Sequence, residues 1–412
     1  MNQPVYILGG SQTDFATNWS RQELTMFDMF TEAVLGALDD AGLDAKDIEV
    51  GHVGNFVAEL FTGQGMLGGW FGHVHPDFAG MPASRHEGAC ASGSLAAMAA
   101  MADIGSGRYD VACVAGVEFM RNVKGIEAGR HLGAAVWVGE EATDADYIWP
   151  RMFSELAVEY DRRYGLDHRH LMGIAETNFA NAKRNPNAQT RSWEFPPASF
   201  TTDDEANPVI DGWVRRQDCS QITDGAAVVI LASPQRAAAY AAERGIELDS
   251  IPKIDGWGHT TAPMLLETKL QQSADDAYVF PWVRKAITDA YARAGIGGPE
   301  QLDAIETHDC FTINEYMAID HFGITAPGEA WKAIEDGRIA ADGDIPVNVS
   351  GGLMGVGHPV GATGVRMLLD ASKQVTGRAG EYQVDGAKRV GTYNVGGSAT
   401  TNCSFVVSTV PS

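Results

Sequence analysis

The chain has 412 residues, 45% of them hydrophobic and 20% charged, with 47 glycines, a composition that excludes a disordered or fibrous protein. Thirty Lys and Arg stand against 54 Asp and Glu, a formal net charge of -24 whose field repels nucleic-acid backbones, so no nucleic-acid partner is expected. No run approaches the roughly 18 consecutive apolar residues of a membrane helix, so no membrane span is expected either, and the length suits one large composite unit or two to three domains.

Residues 4–8 read as a short buried strand. Residues 22–41 read as a helix, with Leu24, Phe27, Phe30, Val34, Ala37, Leu38 and Ala41 at helical spacing and Gly42 as its stop. A strand near 50–57, a helix beginning around Cys90 and an apolar strand over 111–116 follow, the alternation of an α/β sheet. The cadence returns late in the chain: a strand over 251–257, a helix over 281–294 ending at Gly295, and a strand over 304–307. A helix over 313–322, a Gly-rich turn feeding a helix near 363–376, and closing strands over 388–395 and 402–409 complete it. Segments 33–53 and 286–307 share one pattern: an Ala-rich helix, an Ala-Gly-Leu/Ile stop, an acidic spacer, then a strand. Two similar α/β halves are therefore expected. Residues 1–118 form the first part of the N-terminal half, 119–248 an insertion returning to the core near 218–231, and 249–412 the C-terminal half.

The insertion differs in character, with a polar run over 191–208 and isolated helices over 155–164 and 170–184. Its segment 151–220 holds nine basic against eleven acidic residues, a local net of -2 in a strongly acidic chain, so an anionic ligand meets least repulsion there. Charge counting by itself favours a solvated insertion with scattered arginines.

Five cysteines, Cys90, Cys113, Cys219, Cys310 and Cys403, are odd in number, widely spaced and without a C-x-x-C pair, which signals neither a disulfide framework nor a zinc site. With no basic leader and apolar stretch after Met1, a cytoplasmic protein is expected. The pairs His73/His75 and His168/His170 lack a third ligand, so no metal is expected.

Chemistry concentrates in four places. Cys90, in Glu87-Gly88-Ala89-Cys90-Ala91-Ser92, starts a helix, where the macrodipole and orphan N–H groups favour thiolate; a packed buried cysteine is the other reading. His358 sits in the Gly-rich turn 351–364, next to Pro359, as a base for that thiolate; a phosphate-cradling loop fits poorly, lacking the Gly-Lys-Ser/Thr ending. His308 and Cys310, in Glu306-Thr307-His308-Asp309-Cys310-Phe311, face one side if the backbone there is extended. Near Asn394 and Gly396, the N–H groups of a strand-turn could serve an oxyanion.

Cys-x-Ser at 90–92, His-Asp-Cys-Phe at 308–311, Gly-His-Pro at 357–359 and Asn-x-Gly at 394–396, in that order, resemble the thiolase superfamily, specifically the sterol-carrier-protein-2-type thiolases; segment 218–231 resembles the return of that family's loop domain to the core. The resemblance covers essentially the whole chain. It implies a five-layer αβαβα fold of two similar halves with an inserted loop domain that binds coenzyme A, and acyl transfer between CoA thioesters: cleavage of a 3-oxoacyl-CoA with CoA, or condensation of two acyl-CoAs. It implies that Cys90 carries the acyl group, His358 accepts its proton, His308 and His358 donate to the enolate oxygen, Cys310 moves the α-carbon proton, and Gly396 beside Asn394 completes a second oxyanion hole with Cys90 N–H. Departures are His308-Asp309-Cys310-Phe311 where conventional thiolases carry Asn-Glu-Ala-Phe, and Asn394-Val395-Gly396 where they carry Cys-x-Gly; Cys403 is read as packing, with Cys113 and Cys219.

Coenzyme A then enters as co-substrate, with no permanently bound cofactor expected, and Arg215, Arg216, Lys183 and Arg184 become candidates for its phosphates. Two other readings stand beside acyl transfer: a thiolase-like retro-aldol lyase, or a non-catalytic CoA-ester-binding subunit, each with a small OB-fold-type partner. By analogy a homodimer or homotetramer is expected, and, the chain ending at Ser412, no appended lipid-carrier domain.

Overall fold

A computed structural model describes residues 3–411. The expectations about the chain's ends fall on Met1 and Ser412, outside the described residues. Strands β1 (Val5–Gln12), β2 (Val50–Gly54), β3 (Ala83–His86), β4 (Val111–Glu118), β7 (Gly225–Ala232), β8 (Lys253–Thr261), β9 (Ala304–Thr307), β10 (Arg389–Gly396) and β11 (Thr401–Ser408) form one nine-stranded sheet in the order β3-β2-β4-β7-β1-β8-β11-β10-β9. Two short strands, β5 (Val209–Asp211) and β6 (Val214–Arg215), pair separately.

The duplication is written in the pairings. In the first half β2 runs parallel to β4, which pairs antiparallel with β7, and β7 antiparallel with β1. In the second, β9 runs parallel to β10, β10 antiparallel to β11, and β11 antiparallel to β8. The halves meet at β1 and β8, through the antiparallel pairs Val5↔Ile254 and Tyr6↔Lys253. A lone bridge of Ile305 to Val347 stands where a counterpart of β3 belongs.

Side chains alternate across each strand and so feed separate cores. On β4, Cys113, Ala115 and Val117 face an outer core with the helices Met26–Ala41 and Pro234–Arg244, whereas Ala112 and Val114 face the inner core. That inner core holds the helices Ser92–Gly105 and Val360–Val375 between the two halves of the sheet, and Pro281–Ala294 and Thr312–Phe322 cover the far side. Helix, sheet, helix, sheet, helix: these are the five layers. The two central helices touch because their contact residues are small; a Cβ on Gly93 would lie 2.7 Å from Gly361 O.

Boundaries shift for local reasons. The first helix begins at Met26, not 22, because Thr25 and Asp28 form a capping box, Thr25 N–H donating to Asp28 Oδ2 at 2.7 Å. The last long helix starts at Val360, directly after Pro359. Strand β3 is polar and half exposed, so it gives no apolar alternation in the sequence.

Between β4 and β7 the chain leaves the sheet over 119–224 and rejoins it at Gly225, so 225–248 lies with the first half. Its helices Ile148–Tyr164 and His168–Ala182 pack on the second half: Phe153 stacks on Phe311 at 4.4 Å, and Tyr160 donates to Asp320 at 2.9 Å. No helix among the described residues is long and apolar enough to cross a membrane.

Candidate active site

Cys90 lies in a single 3-10 turn, Ala89–Ala91, directly before the central helix Ser92–Gly105. Ala89 holds φ at 51°, a left-handed conformation that costs a non-glycine residue energy and lifts the next side chain out of the turn. Glu87 Oε1 accepts Ala89 N–H at 2.6 Å, and Ser92 Oγ, which accepts Gly88 N–H, donates to Ala89 O at 2.6 Å. Ser92 of the Cys-x-Ser pair thus buttresses the elbow.

His308 leaves β9 and His358 precedes the other central helix; their rings meet edge to face at 5.0 Å, and ligand-type atoms of Cys90, His308 and His358 all lie within 4.8 Å of one another. Cys310 is buried beside them, its Sγ accepting from Asn314 Nδ2 at 3.4 Å. The four residues singled out in the sequence therefore converge, although 268 positions separate the first from the last.

Their hydrogen bonds fix the protons. Asn394 Oδ1 accepts Ser94 Oγ at 2.7 Å, so its Nδ2 donates to Cys90 O at 3.2 Å and to His308 Nδ1 at 3.0 Å. An accepting Nδ1 makes His308 an Nε2–H donor, suited to an oxyanion and unsuited to a metal. At His358 the arrangement is opposite. Thr363 donates its hydroxyl to Pro359 O at 3.0 Å, so it accepts His358 Nδ1–H at 2.7 Å, and the buried, unpartnered Nε2 keeps its lone pair for a proton. One imidazole is a donor and the other a base.

The helix start favours a Cys90 thiolate, and burial works against it. Burial, with Glu118 nearby, pushes the Cys90 thiol up to about 12, outweighing its own N–H and that of Gly397, which point at the sulfur. Burial lowers His358 to about 3 and His308 well below the usual imidazole range, and raises Cys310 well above the usual thiol range. Each of these shifts favours the neutral form of its group.

Gly397 N–H reaches Cys90, whereas Gly396 packs against Gly88 O, where a Cβ would collide. At the turn expected to serve an oxyanion, Asn394 donates to Cys90 O and His308 Nδ1, Gly396 follows it at the end of β10, and Gly397 lines the cavity with Cys90.

Buried polar groups hold these loops. Glu118 accepts N–H from Phe56 (2.9 Å), Val57 (3.3 Å) and Gly361 (3.1 Å) and Asn55 Nδ2 (2.9 Å); burial still raises its carboxyl to about 7. Asp309 accepts Leu353 N–H at 2.5 Å and Met354 N–H at 3.2 Å, tying the segment of His308 and Cys310 to the turn before His358. The sequence shows Glu118 only as an acid closing an apolar strand, a signal that was there to be read.

A cavity of about 430 Å³ opens on the sulfur. Cys90, Cys310 and His358 line it with Phe56, Leu132, Trp149, Phe153 and Phe311, an apolar chamber suited to an acyl chain. Arg216 stands on its lining. Arg215 instead pairs with Asp204 at 2.8 Å, Lys183 with Glu194 at 3.0 Å, and Arg184 donates to Asn181 at 2.8 Å, none of them lining the cavity. Cys219 also lines it, beyond the packing role read from sequence, while Cys113 and Cys403 are fully buried in cores. His168 and His170 pair separately with Asp218 and Glu335.

Residues 5–235 match the family model "Thiolase, N-terminal domain", and residues 265–409 match "Thiolase C-terminal domain-like". An acetyl-CoA acetyltransferase of Methanothermobacter thermautotrophicus is 33% identical over 408 residues, covering 98% of this chain and 99% of the relative. Sterol carrier protein 2 of Gallus gallus is 27% identical over 408 residues, covering 96% of this chain and 70% of that one. Among solved structures, an Ltp2-ChsH2(DUF35) aldolase superposes with a TM-score of 0.76 at 20% identity, covering 98% of this chain and 97% of that chain. Human mitochondrial 3-ketoacyl-CoA thiolase in complex with CoA gives 0.66 at 15% identity, covering 99% and 98%. At those identities the two structures share the fold.

Proposed function

The chain belongs to the thiolase family, and from that premise we propose that it transfers acyl groups between CoA thioesters through an acyl-Cys90 intermediate. The observation that carries this reading is the convergence of Cys90 and a basic His358 Nε2 on an apolar cavity, with a donating His308 packed against both.

In the cleaving direction His358 Nε2 takes the Cys90 proton as the sulfur attacks the 3-oxo carbon of a 3-oxoacyl-CoA. The bond between C2 and C3 then breaks, and its electron pair moves into an enolate of acetyl-CoA whose oxygen is held by His308 Nε2–H and the newly protonated His358. Cys310 protonates C2, and acetyl-CoA leaves. The Cys310 thiolate takes the proton of incoming CoA–SH, the CoA sulfur attacks acyl-Cys90, and Cys90 recovers its proton from His358. The condensing direction runs the same steps in reverse.

Arg216, exposed at the cavity and without an ion-pair partner among the described residues, is the basic residue placed to meet a CoA phosphate. A homodimer or homotetramer, a cytoplasmic location and a small OB-fold-type partner belong to the same reading. The structural neighbour Ltp2-ChsH2(DUF35) aldolase, which pairs a protein of this fold with a DUF35 protein, supports such a partner.

The test is intact-protein mass after incubation with acyl-CoA. Cys90 is expected to gain one acyl group, Cys90→Ala none, and Cys310→Ala to acylate while losing deuterium exchange at C2 of acetyl-CoA. A normal acyl adduct on Cys90→Ala would sink the proposal. Release of a ketone from a β-hydroxyacyl-CoA without any adduct would favour the retro-aldol reading, and binding without turnover the CoA-ester-binding subunit.

A further inference from the structure

Lys269, on the helix Leu266–Gln272, is wholly buried, and all four of its hydrogen-bond partners are neutral oxygens. Its Nζ shares its protons among Met264 O at 3.0 Å, Ser398 O at 2.8 Å, Ser398 Oγ at 2.7 Å and Thr400 Oγ1 at 2.9 Å. Taking an ammonium from water with no carboxylate against it is costly; burial pulls it down to about 7, with Glu141 opposing. Such a group needs a reason.

The reason lies in what it grips. Three of the four oxygens belong to the turn between β10 and β11, the turn that carries Gly397 N–H to the Cys90 sulfur. That turn is conformationally demanding: Gly397 and the non-glycine Ala399 both hold φ at 64°. Apart from Lys269, its internal ties are Thr400 N–H to Gly396 O at 3.1 Å and Asn402 Nδ2 to Ala399 O at 3.0 Å, neither of which fixes Ser398.

We propose that Lys269 is a positioning residue for acyl transfer: its Nζ, locked on Ser398 and Thr400, holds the β10–β11 turn so that Gly397 N–H stays aimed at Cys90. The donor must point at a developing charge to lower its energy, and a pre-aligned dipole does so without reorganising. This inference rests on Cys90 being the nucleophile.

The test follows Cys90 alkylation by iodoacetamide against pH, read by peptide mass, so that no acyl-CoA is needed, alongside the acylation rate and the melting temperature. In Lys269→Met, which keeps the apolar stem, the alkylation profile is expected to move to higher pH, and acylation to slow by about tenfold to a hundredfold with KM nearly unchanged. A purely structural lysine would lower the melting temperature without moving that profile, and a folded Lys269→Met with an unchanged profile overturns the proposal. Should Lys269→Met fail to fold, Ser398→Ala and Thr400→Val, each removing one acceptor, must shift the profile the same way by less; no shift in either also overturns it. Wild-type Cys90 that resists alkylation at every pH, while other cysteines react, would take down the nucleophile reading and this inference with it.

Discussion

At the scale of single residues, two histidines in one pocket have been given opposite jobs by their neighbours. Thr363 is the smallest of these devices: with its own proton committed to Pro359 O, it can only accept from His358 Nδ1. Thr363→Val removes the acceptor and frees the ring to place its proton on Nε2, where it blocks the attack. Acylation of Cys90 is expected to fall by about a hundredfold while the fold survives, a smaller version of the loss seen when a catalytic imidazole is held in the wrong tautomer. Single-turnover acylation beside circular dichroism checks this, and an unchanged rate would mean the tautomer is set elsewhere. Cys90, His308, Cys310 and His358 were legible in the sequence because a thiol or imidazole in a Gly-rich or strand-end setting is chemically conspicuous. Thr363, Asn394's hold on His308, and Lys269 were not, since a threonine, an amide or a lysine carries no sign of which partner the fold will bring it.

At the scale of elements, the site is held by buried carboxylates that stitch strand ends to helix starts. Glu118, the last residue of β4, receives four N–H donors, among them Gly361 at the start of the second central helix. Its carboxyl stands at about 7 in the folded protein against 4.5 unfolded, so the folded state binds its proton more tightly. The stability this supplies is present below about 4.5 and is lost as pH rises through about 7, up to about 3 kcal/mol. Glu118→Gln, which cannot ionise, is expected to flatten that decline; urea titrations across this range measure it, and an undiminished slope would assign it to other buried acids. Elements themselves were readable where periodicity was strong: the Cys90 helix, β4 and the closing hairpin lie within a few residues of their expected places. Polar β3 and the capped start at Met26 were not, because a half-exposed edge and a capping box leave little trace in hydrophobic spacing.

At the scale of the whole molecule, the proposed function asks a chain of net charge -24 to admit a polyanionic co-substrate. Near-neutrality of 151–220 singles out a neighbourhood and not a residue, because charge counting cannot tell an arginine spent on a local carboxylate, such as Arg215 on Asp204, from one left facing the cavity, such as Arg216. Arg216→Ala is expected to raise KM for CoA by about tenfold with kcat little changed, and to weaken the dependence of KM on salt. Equal salt dependence in wild type and variant would place the phosphates elsewhere. The duplicated halves were visible in the matching segments 33–53 and 286–307, but their fusion into one continuous sheet was not, since it depends on only two residue pairs between β1 and β8.

That junction also sets an order of events during synthesis. Of the described strands β1 is made first, yet its two neighbours are β7 and β8, the latter ending at Thr261. At about 5–20 residues per second, β1 waits roughly 10–45 s for β7 with both edges open, and longer still for β8. During that interval the N-terminal half is a nascent chain with an unpaired, apolar edge, the kind of surface that chaperones hold and that neighbouring nascent copies can capture. Speeding translation through the 119–224 insertion, which separates β4 from β7, would shorten that exposure without altering a single contact in the finished molecule.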